Sequence, residues 1–343
     1  MKSVRIYCES VGDLPPDALR LLARGGLFSD PVWWRVVERH ALPAHERPAY
    51  VVISDGGTIA GVAPMLRGRH RLASFTTPYT CLYQPAIQGD VTAIAAALGR
   101  FCRAAGTCRI DAVPAEWPDL PAFLAGVRQA GLVPLRFDHF GNWSEDVGGK
   151  DWPAYLAERP GALRETIRRR LRRAEATADS RFDVYVAPED MDRAASAFES
   201  VYARSWKEPE PYPAFNVALM RALAPSGVVR MGVWSIGETP VAAQFWVVRD
   251  GSAIVLKLAH DEAFKAHSPG TVLTALMVRH LLARDSVRRI DFGRGDDAYK
   301  RGWASERRQR IGLMLANPWS VSGLRELGLH AAGRLKRLVR RPA

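Results

Sequence analysis

The sequence predicts an α/β (α+β) chain of two tandem lobes, each a mixed, mostly antiparallel sheet flanked by helices. Three observations carry this reading. Residues 252–303 read as strand, turn, helix, strand and short helix, the alternation of a layered α/β unit. Three β-rich segments, 228–235, 241–248 and 252–260, run in meander order up to that helix, with turns at 236–240 and Asp250-Gly251. Two short strings also recur at nearly one offset. TIAGVA begins at Thr58 and TPVAAQ at Thr239, 181 residues on, while Arg109-Ile110-Asp111 returns as Arg289-Ile290-Asp291, 180 residues on. Two matches on corresponding elements indicate duplicated halves; the alternative is coincidence among generic α/β units.

The elements follow in order. A short strand at Val4–Tyr7 leads into a helix near Pro16–Ala23 and a second at Pro31–Arg39. AYVVIS, Asp55-Gly56-Gly57 and TIAGVAPML form a hairpin signal over 49–66. Residues 70–90 are aromatic and irregular. A helix at 91–105, a strand at 108–113, a helix ending at Gly131 and a mostly extended stretch at 132–143 complete the first half. Gly148-Gly149 interrupts the pattern, so the lobes are expected at 1–147 and 148–318, with a tail at 319–343. The second half opens with helices at 151–158 and 162–179. A strand at 181–187, a helix at 191–206, a Pro-rich loop at 207–215 and a helix at 216–224 lead to the meander.

Composition narrows the class. The chain has 343 residues, 48% hydrophobic and 24% charged, which is globular. No segment has the apolar length to span a bilayer, and the first residues lack the apolar core of a secretory leader. Cys8, Cys81, Cys102 and Cys108 show no paired spacing, which fits free thiols in a reducing cytoplasm. The histidines show no metal-ligand spacing, so no metal is expected. A net charge of +12 favours anionic partners: phosphorylated cofactors, nucleic acid or an anionic membrane face.

The helix after the meander has a marked start. Ser268 stands at the N-cap, Pro269 at N1, and Gly270 and Thr271 follow. First-turn amides lack internal partners and carry the positive dipole end, and Gly270 offers no side chain to obstruct a ligand. This is a phosphate cradle, or an ordinary capped helix on a sheet. Lys257 is a lone charge in an apolar strand and needs a partner or a cleft, with Gln244 a weaker case on the neighbouring strand. Trp206, Lys207, Glu208 and Tyr212 stand in a Pro-stiffened loop, either an acceptor-site wall or a connector. Arg168, Arg169, Arg170, Arg172 and Arg173 cover more than one helix face, solvated or phosphate-binding. Residues 321–341 form a basic amphipathic helix suited to an anionic membrane face, or docked on the protein.

The order of the second half, with RSWKEPEPYPAF (204–215), HSPGTVLTALMVRHLL (267–282) and IDFGRGDDAYKRGWA (290–304), resembles the FemAB-like acetyltransferases of the GNAT superfamily linked to polysaccharide and cell-envelope synthesis. The resemblance covers about 150–317, and the first half is similar to the degenerate GNAT lobe such proteins carry. It implies a cytoplasmic, membrane-peripheral N-acyltransferase that moves an acyl group from acyl-CoA, acetyl-CoA first, to an amine of a glycan or peptide precursor. The other implied activities are aminoacyl-tRNA-dependent transfer and a non-catalytic binding lobe. His267, Ser268, Gly270 and Thr271 match the family's cofactor-binding helix start. The Arg/Gln-x-x-Gly-x-Gly/Ala string of ordinary GNAT enzymes is absent. Lys300 matches a lysine cast as an oxyanion or phosphate stabiliser, the alternative being a surface lysine. Asp291 and Asp296 are candidate bases, or a turn cap and a solvated carboxylate. Tyr299 is a candidate donor to the leaving thiolate, or a packing residue.

Overall fold

A computed structural model describes residues 2–7, 10–69 and 71–339, with the side chains of 334–339 outside the description. Cys8 and the basic end of the tail, Arg340 and Arg341, lie outside the described residues. Contacts divide the chain into a discontinuous unit, Met1–Gly141 with Arg308–Ala343, and a continuous one, Asn142–Arg307.

The first unit begins with β1 (Lys2–Tyr7), α1 (Pro16–Ala23), α2 (Pro31–His40), β2 (Arg47–Asp55), β3 (Thr58–Arg67), β4 (Leu72–Ser74) and β5 (Ala86–Ile87). It continues through α3 (Val91–Arg103), β6 (Thr107–Pro114), α4 (Leu120–Gln129) and most of β7 (Val133–Asp146). The second unit holds α5 (Trp152–Ala157), α6 (Gly161–Ala176), β8 (Ser180–Tyr185), α7 (Met191–Ala203), α8 (Phe215–Leu223), β9 (Val229–Ile236) and β10 (Thr239–Arg249). It closes with β11 (Ser252–His260), α9 (Pro269–Arg284), β12 (Arg289–Arg294) and α10 (Lys300–Trp303). The chain then returns to the first unit in β13 (Glu306–Ala316) and α11 (Val321–Val339). Acidic caps start several helices: Asp30 accepts from the Val32 amide, Asp90 from Ala93 and Asp151 from Ala154.

Strand order in the first unit is β1-β2-β3-β4-β6-β13, with β5 on β3. In the second it is β7-β12-β11-β10-β9-β8. The β4/β6 and β11/β12 pairs are parallel and the other recorded pairs antiparallel, so both sheets are mixed and mostly antiparallel, as expected. The two units share a layout. A hairpin (β2/β3 or β9/β10) is followed by a strand, a long helix (α3 or α9), and a strand parallel to the one before the helix. TIAGVA lies on β3 and TPVAAQ on β10, while the two Arg-Ile-Asp strings lie on β6 and β12.

Three features depart from the sequence reading. The contact boundary falls at Gly141/Asn142, and residues from Arg308 onward join the first unit instead of ending the second. Pairing explains this, because Arg310 through Ala316 of β13 lie against Pro114 through Thr107 of β6. The stretch expected to be irregular holds the short strands β4 and β5, and β13 had no counterpart in the expected elements.

Helix α9 is apolar on all sides and buried, with Val272, Leu273, Leu276, Met277, Val278 and Leu281 in the core of its unit. Gly232 of β9 lets it lie close, since a Cβ there would sit 2.2 Å from Met277 Sδ. Strands β11 and β12 pair over Ser252–Ile254 and Arg289–Asp291. Beyond that, β11 bulges at Leu256 and runs on to His260, while Gly293 turns β12 with φ 69°. The positive φ, and a carbonyl that would stand 2.6 Å from any Cβ, both require glycine there.

Candidate functional site

The end of β11, the start of α9 and the loop after α7 enclose a cavity of about 350 Å³. Its walls include Trp206, Leu258, His260, Ser268–Thr271, Tyr299 and Trp303. Side chains alternate along a strand, so Leu258 and His260 share a face and Lys257 faces the other way. Ser268 adopts φ 53°, ψ 52° and its hydroxyl makes no capping bond, while its carbonyl accepts from the Val272 amide. The Gly270 and Thr271 amides therefore lack the usual side-chain acceptor at a helix start that opens on the cavity. Arg170 of α6 reaches the turn before this helix and donates from Nη1 to the Ala266 carbonyl at 2.7 Å. The other arginines of that run, Arg168, Arg169, Arg172 and Arg173, are exposed.

His260 was not among the residues singled out from the sequence. Its ring packs against Trp206, tilted at 38° with centroids 4.3 Å apart, and Nε2 lies 3.3 Å from Glu262 Oε1. Nδ1 is buried and has no partner among the described residues. A Cβ on Gly270 would sit 3.3 Å from that nitrogen, so it lies against the first turn of α9. Burial lowers the imidazole pKa, against the raising pull of Glu262, so the ring is neutral at pH 7. The signal that could have found it is its place, a histidine ending the strand that leads to the cradle.

On the other face of β11, Lys257 Nζ donates to Glu210 Oε1 at 2.6 Å, and Tyr202 Oη donates to the same oxygen at 2.6 Å. Glu210 and Lys207 line a second cavity of about 330 Å³ with Phe198, Tyr202, Asn216 and Val217. Burial pushes the Lys207 pKa down to about 8, and the Lys257 charge adds to it. The Lys207 ammonium also lies 5.6 Å from the Trp206 ring. One loop thus supplies adjacent residues to two cavities, Trp206 to the first and Lys207 to the second. Lys257, expected to need a partner, has Glu210.

Other expected residues are placed differently. Gln244 is buried and committed: Nε2 donates to Thr274 Oγ1 and Oε1 accepts from Trp246 Nε1, each at 2.8 Å. It lines neither cavity and holds α9 to β10. Asp291 Oδ1 accepts from Asn142 Nδ2 and the Gly293 amide, both at 2.7 Å, so this oxygen caps the turn at Gly293. Asp296 takes both oxygens to Arg307 and accepts from Trp143 Nε1 at 2.7 Å. Hydrogen bonds from Arg307 and Trp143 lower its pKa, which weakens it as a base.

Lys300 is 2% exposed, which overturns the surface-lysine alternative. Nζ donates to the Arg294 carbonyl at 2.7 Å and the Gly295 carbonyl at 3.4 Å, and pairs with Asp297 at 3.0 Å. Those contacts use the three donors of an ammonium, so Lys300 clamps the loop after β12. Tyr299, its neighbour, does line the first cavity. His267 is exposed beside Phe264, while Glu208 and Tyr212 line neither cavity.

The first cavity's far wall has a buried support. Arg159 donates to Glu145 Oε1 at 2.5 Å and to the Trp303 carbonyl at 2.7 Å. The other Glu145 oxygen accepts from the Ser305 amide and hydroxyl, each at 2.6 Å. Tyr155 Oη donates to the Trp303 carbonyl at 2.7 Å. Burial pushes the Glu145 pKa up, but the bonds from Arg159 and Ser305 outweigh it and hold the pKa below the usual value.

A helix start with uncapped amides opening on a cavity can hold an anionic group. Residues 161–301, within the second unit, match a family described as an acetyltransferase (GNAT) domain. Among solved structures, the chain is similar to FemX, at 11% identity with a TM-score of 0.58, over 91% of this chain and 98% of that one. It is similar to L-PGS from Bacillus licheniformis, at 14% identity and TM-score 0.53, over 84% and 92%. A third match is the C-terminal domain of a candidate lysylphosphatidylglycerol synthetase from Agrobacterium fabrum, at 12% identity and TM-score 0.55, over 87% and 90%. At these identities the likeness is one of fold. No curated protein matches the sequence closely enough to count as a relative.

Proposed function

We propose that the chain is an N-acyltransferase that moves an acyl group, acetyl first, from acyl-CoA to an amine of a cell-envelope or polysaccharide precursor. The observation that carries this is the cavity at the start of α9, where Gly270 and Thr271 turn uncapped amides toward space walled by Trp206 and His260. The donor's pyrophosphate sits on those amides, with Arg170 supporting the turn. The thioester reaches toward Tyr299, and the acceptor enters from the cavity of Lys207 and Glu210. The amine attacks the thioester carbonyl, forming the C–N bond. The amine proton passes to water, and the C–S bond then breaks. Tyr299 supplies a proton to the departing thiolate. The donor chemistry calls for no metal. A cytoplasmic place, peripheral to the membrane, follows from the envelope precursor as acceptor.

Thermal shift with CoA, acetyl-CoA and longer acyl-CoAs tests the donor. A ligand at about 100 times its Kd stabilises by about 2.7 kcal/mol. His260→Gln should weaken the CoA shift, because the ring lies against the first turn of α9. An unchanged shift would sink its place in the donor site. The second reading is transfer from aminoacyl-tRNA, favoured by the shared fold with FemX and by the exposed arginines of α6. Saturable tRNA binding with no shift from any acyl-CoA would select it. The third reading, a binding lobe without catalysis, is selected by a CoA shift with no thiol released in the presence of amines.

A further inference from the structure

The start of α11 exposes large apolar side chains that the donor chemistry does not use. Trp319 is 82% exposed, Val321 88% and Leu324 58%. Val321 and Leu324 are three apart on the helix and share a face, with Trp319 two residues before it. Between them Ser322 lines a cavity of about 430 Å³ together with Arg67, Arg69, Arg71, Leu72 and Phe101. All three arginines are exposed. Arg71 has one acidic neighbour, Glu46 at 3.3 Å, while Arg67 and Arg69 have no acidic partner among the described residues.

We propose that this part of the first unit docks on an anionic bilayer, with Trp319, Val321 and Leu324 in the interface and a lipid phosphate held by Arg67, Arg69 and Arg71. Charge complementarity argues for this occupant. Tryptophan at headgroup depth, apolar side chains below it and basic groups at the phosphates is the arrangement an interfacial helix uses. A protein partner would have to cover the same apolar edge while matching three clustered guanidinium groups. A cavity lined by three arginines together with Leu72 and Phe101 suits a headgroup with its glycerol stem. Nothing in this inference depends on the acyl donor.

The experiment is flotation of the full chain with phosphatidylcholine vesicles, with and without phosphatidylglycerol. Binding should need phosphatidylglycerol and weaken with salt. Near an anionic surface each basic residue contributes about 1 kcal/mol, so R67Q/R69Q/R71Q should lower partitioning roughly a hundredfold. Trp319→Ser should lower it independently. Circular dichroism and melting check that these exposed substitutions leave the fold intact, and Arg69→Glu alone serves as a second variant. The arginine variants keep the basic tail, so undiminished binding by them would show the tail acting alone and overturn the proposal. Equal binding to pure phosphatidylcholine would overturn it too. Competition by inorganic phosphate with no vesicle binding would make the cavity a small-anion site, and arginine-dependent tRNA binding without vesicle binding a nucleic-acid contact. Either result refutes the membrane assignment.

Discussion

Gly270→Ala separates the donor site from the stability of the helix that carries it. The new methyl would sit 3.3 Å from His260 Nδ1 and 3.8 Å from Cε1. The ring packs against Trp206, so it can give by only a few tenths of an ångström. Against that crowding, alanine in a helix gains up to about 1 kcal/mol over glycine. The two effects oppose each other, and the melting temperature of the free protein should move little. Donor binding should change much more, because the methyl occupies the approach to the cradle amides. Losing one hydrogen bond to a charged group costs about 1.5–3 kcal/mol, roughly a 10- to 150-fold rise in Kd. The assay is calorimetric titration of CoA into both proteins, with melting curves alongside. A folded variant with unchanged CoA affinity would show that the phosphates bind elsewhere, and the assignment of the α9 start would fall. Gly270→Glu should abolish binding outright, by adding charge and bulk.

Lys300→Met should lower stability by about 1–3 kcal/mol, since it leaves the Arg294 and Gly295 carbonyls without their donor. Donor affinity should hold, and a 100- to 1000-fold fall in kcat at unchanged melting would instead restore the oxyanion role. An anionic acceptor group bound by Lys207 should lose affinity as pH rises through about 8, where burial has placed the ammonium's titration. Lys207→Gln should flatten that dependence of the acceptor KM. The same shift has a sign for folding: between about 8 and the unfolded value the unfolded chain holds more protons, so stability should rise with pH across that window. Arg159→Met should cost about 3–5 kcal/mol by stranding Glu145 in the core, and the Tm of the parent should fall as acid protonates Glu145 through its lowered pKa. A parent whose Tm is flat through acid pH would show that this pair is not a stabilising one.

Local chemistry was legible. Turn residues such as Asp55-Gly56-Gly57, the proline opening α9 and the apolar periodicities place most elements within a few residues of where they stand. The repeated Arg-Ile-Asp strings mark equivalent strands because each unit needs the same β-strand after its long helix. What the sequence hid was long-range pairing. Half of ERRQRIGLMLA is basic or polar, and only β6, far back in the chain, makes it a strand. Polar groups on strands carry no sign of which neighbour satisfies them: Gln244 looks free until Thr274 and Trp246 close on it. Lys300 looks exposed because lysine usually is, and its burial depends on three acceptors brought round by the turn at Gly293 and Gly295. His260 announces itself through a missing partner, which only coordinates can reveal.

The return of β13 to β6 has a consequence for how the chain is made. Arg310 pairs with Pro114, synthesised 196 residues earlier. At 5–20 residues per second that is a delay of roughly 10–40 s on the ribosome. Throughout it, β6 has β4 on one side and an unsatisfied row of amides and carbonyls on the other. The second unit, Asn142–Arg307, is contiguous and fills almost all of that interval, its last residue preceding Arg310 by three positions. Synthesis therefore leaves the earlier-made half of the chain with an open strand edge while the second unit is produced. Chaperone capture, or mispairing between nascent chains on one message, would concentrate at that edge.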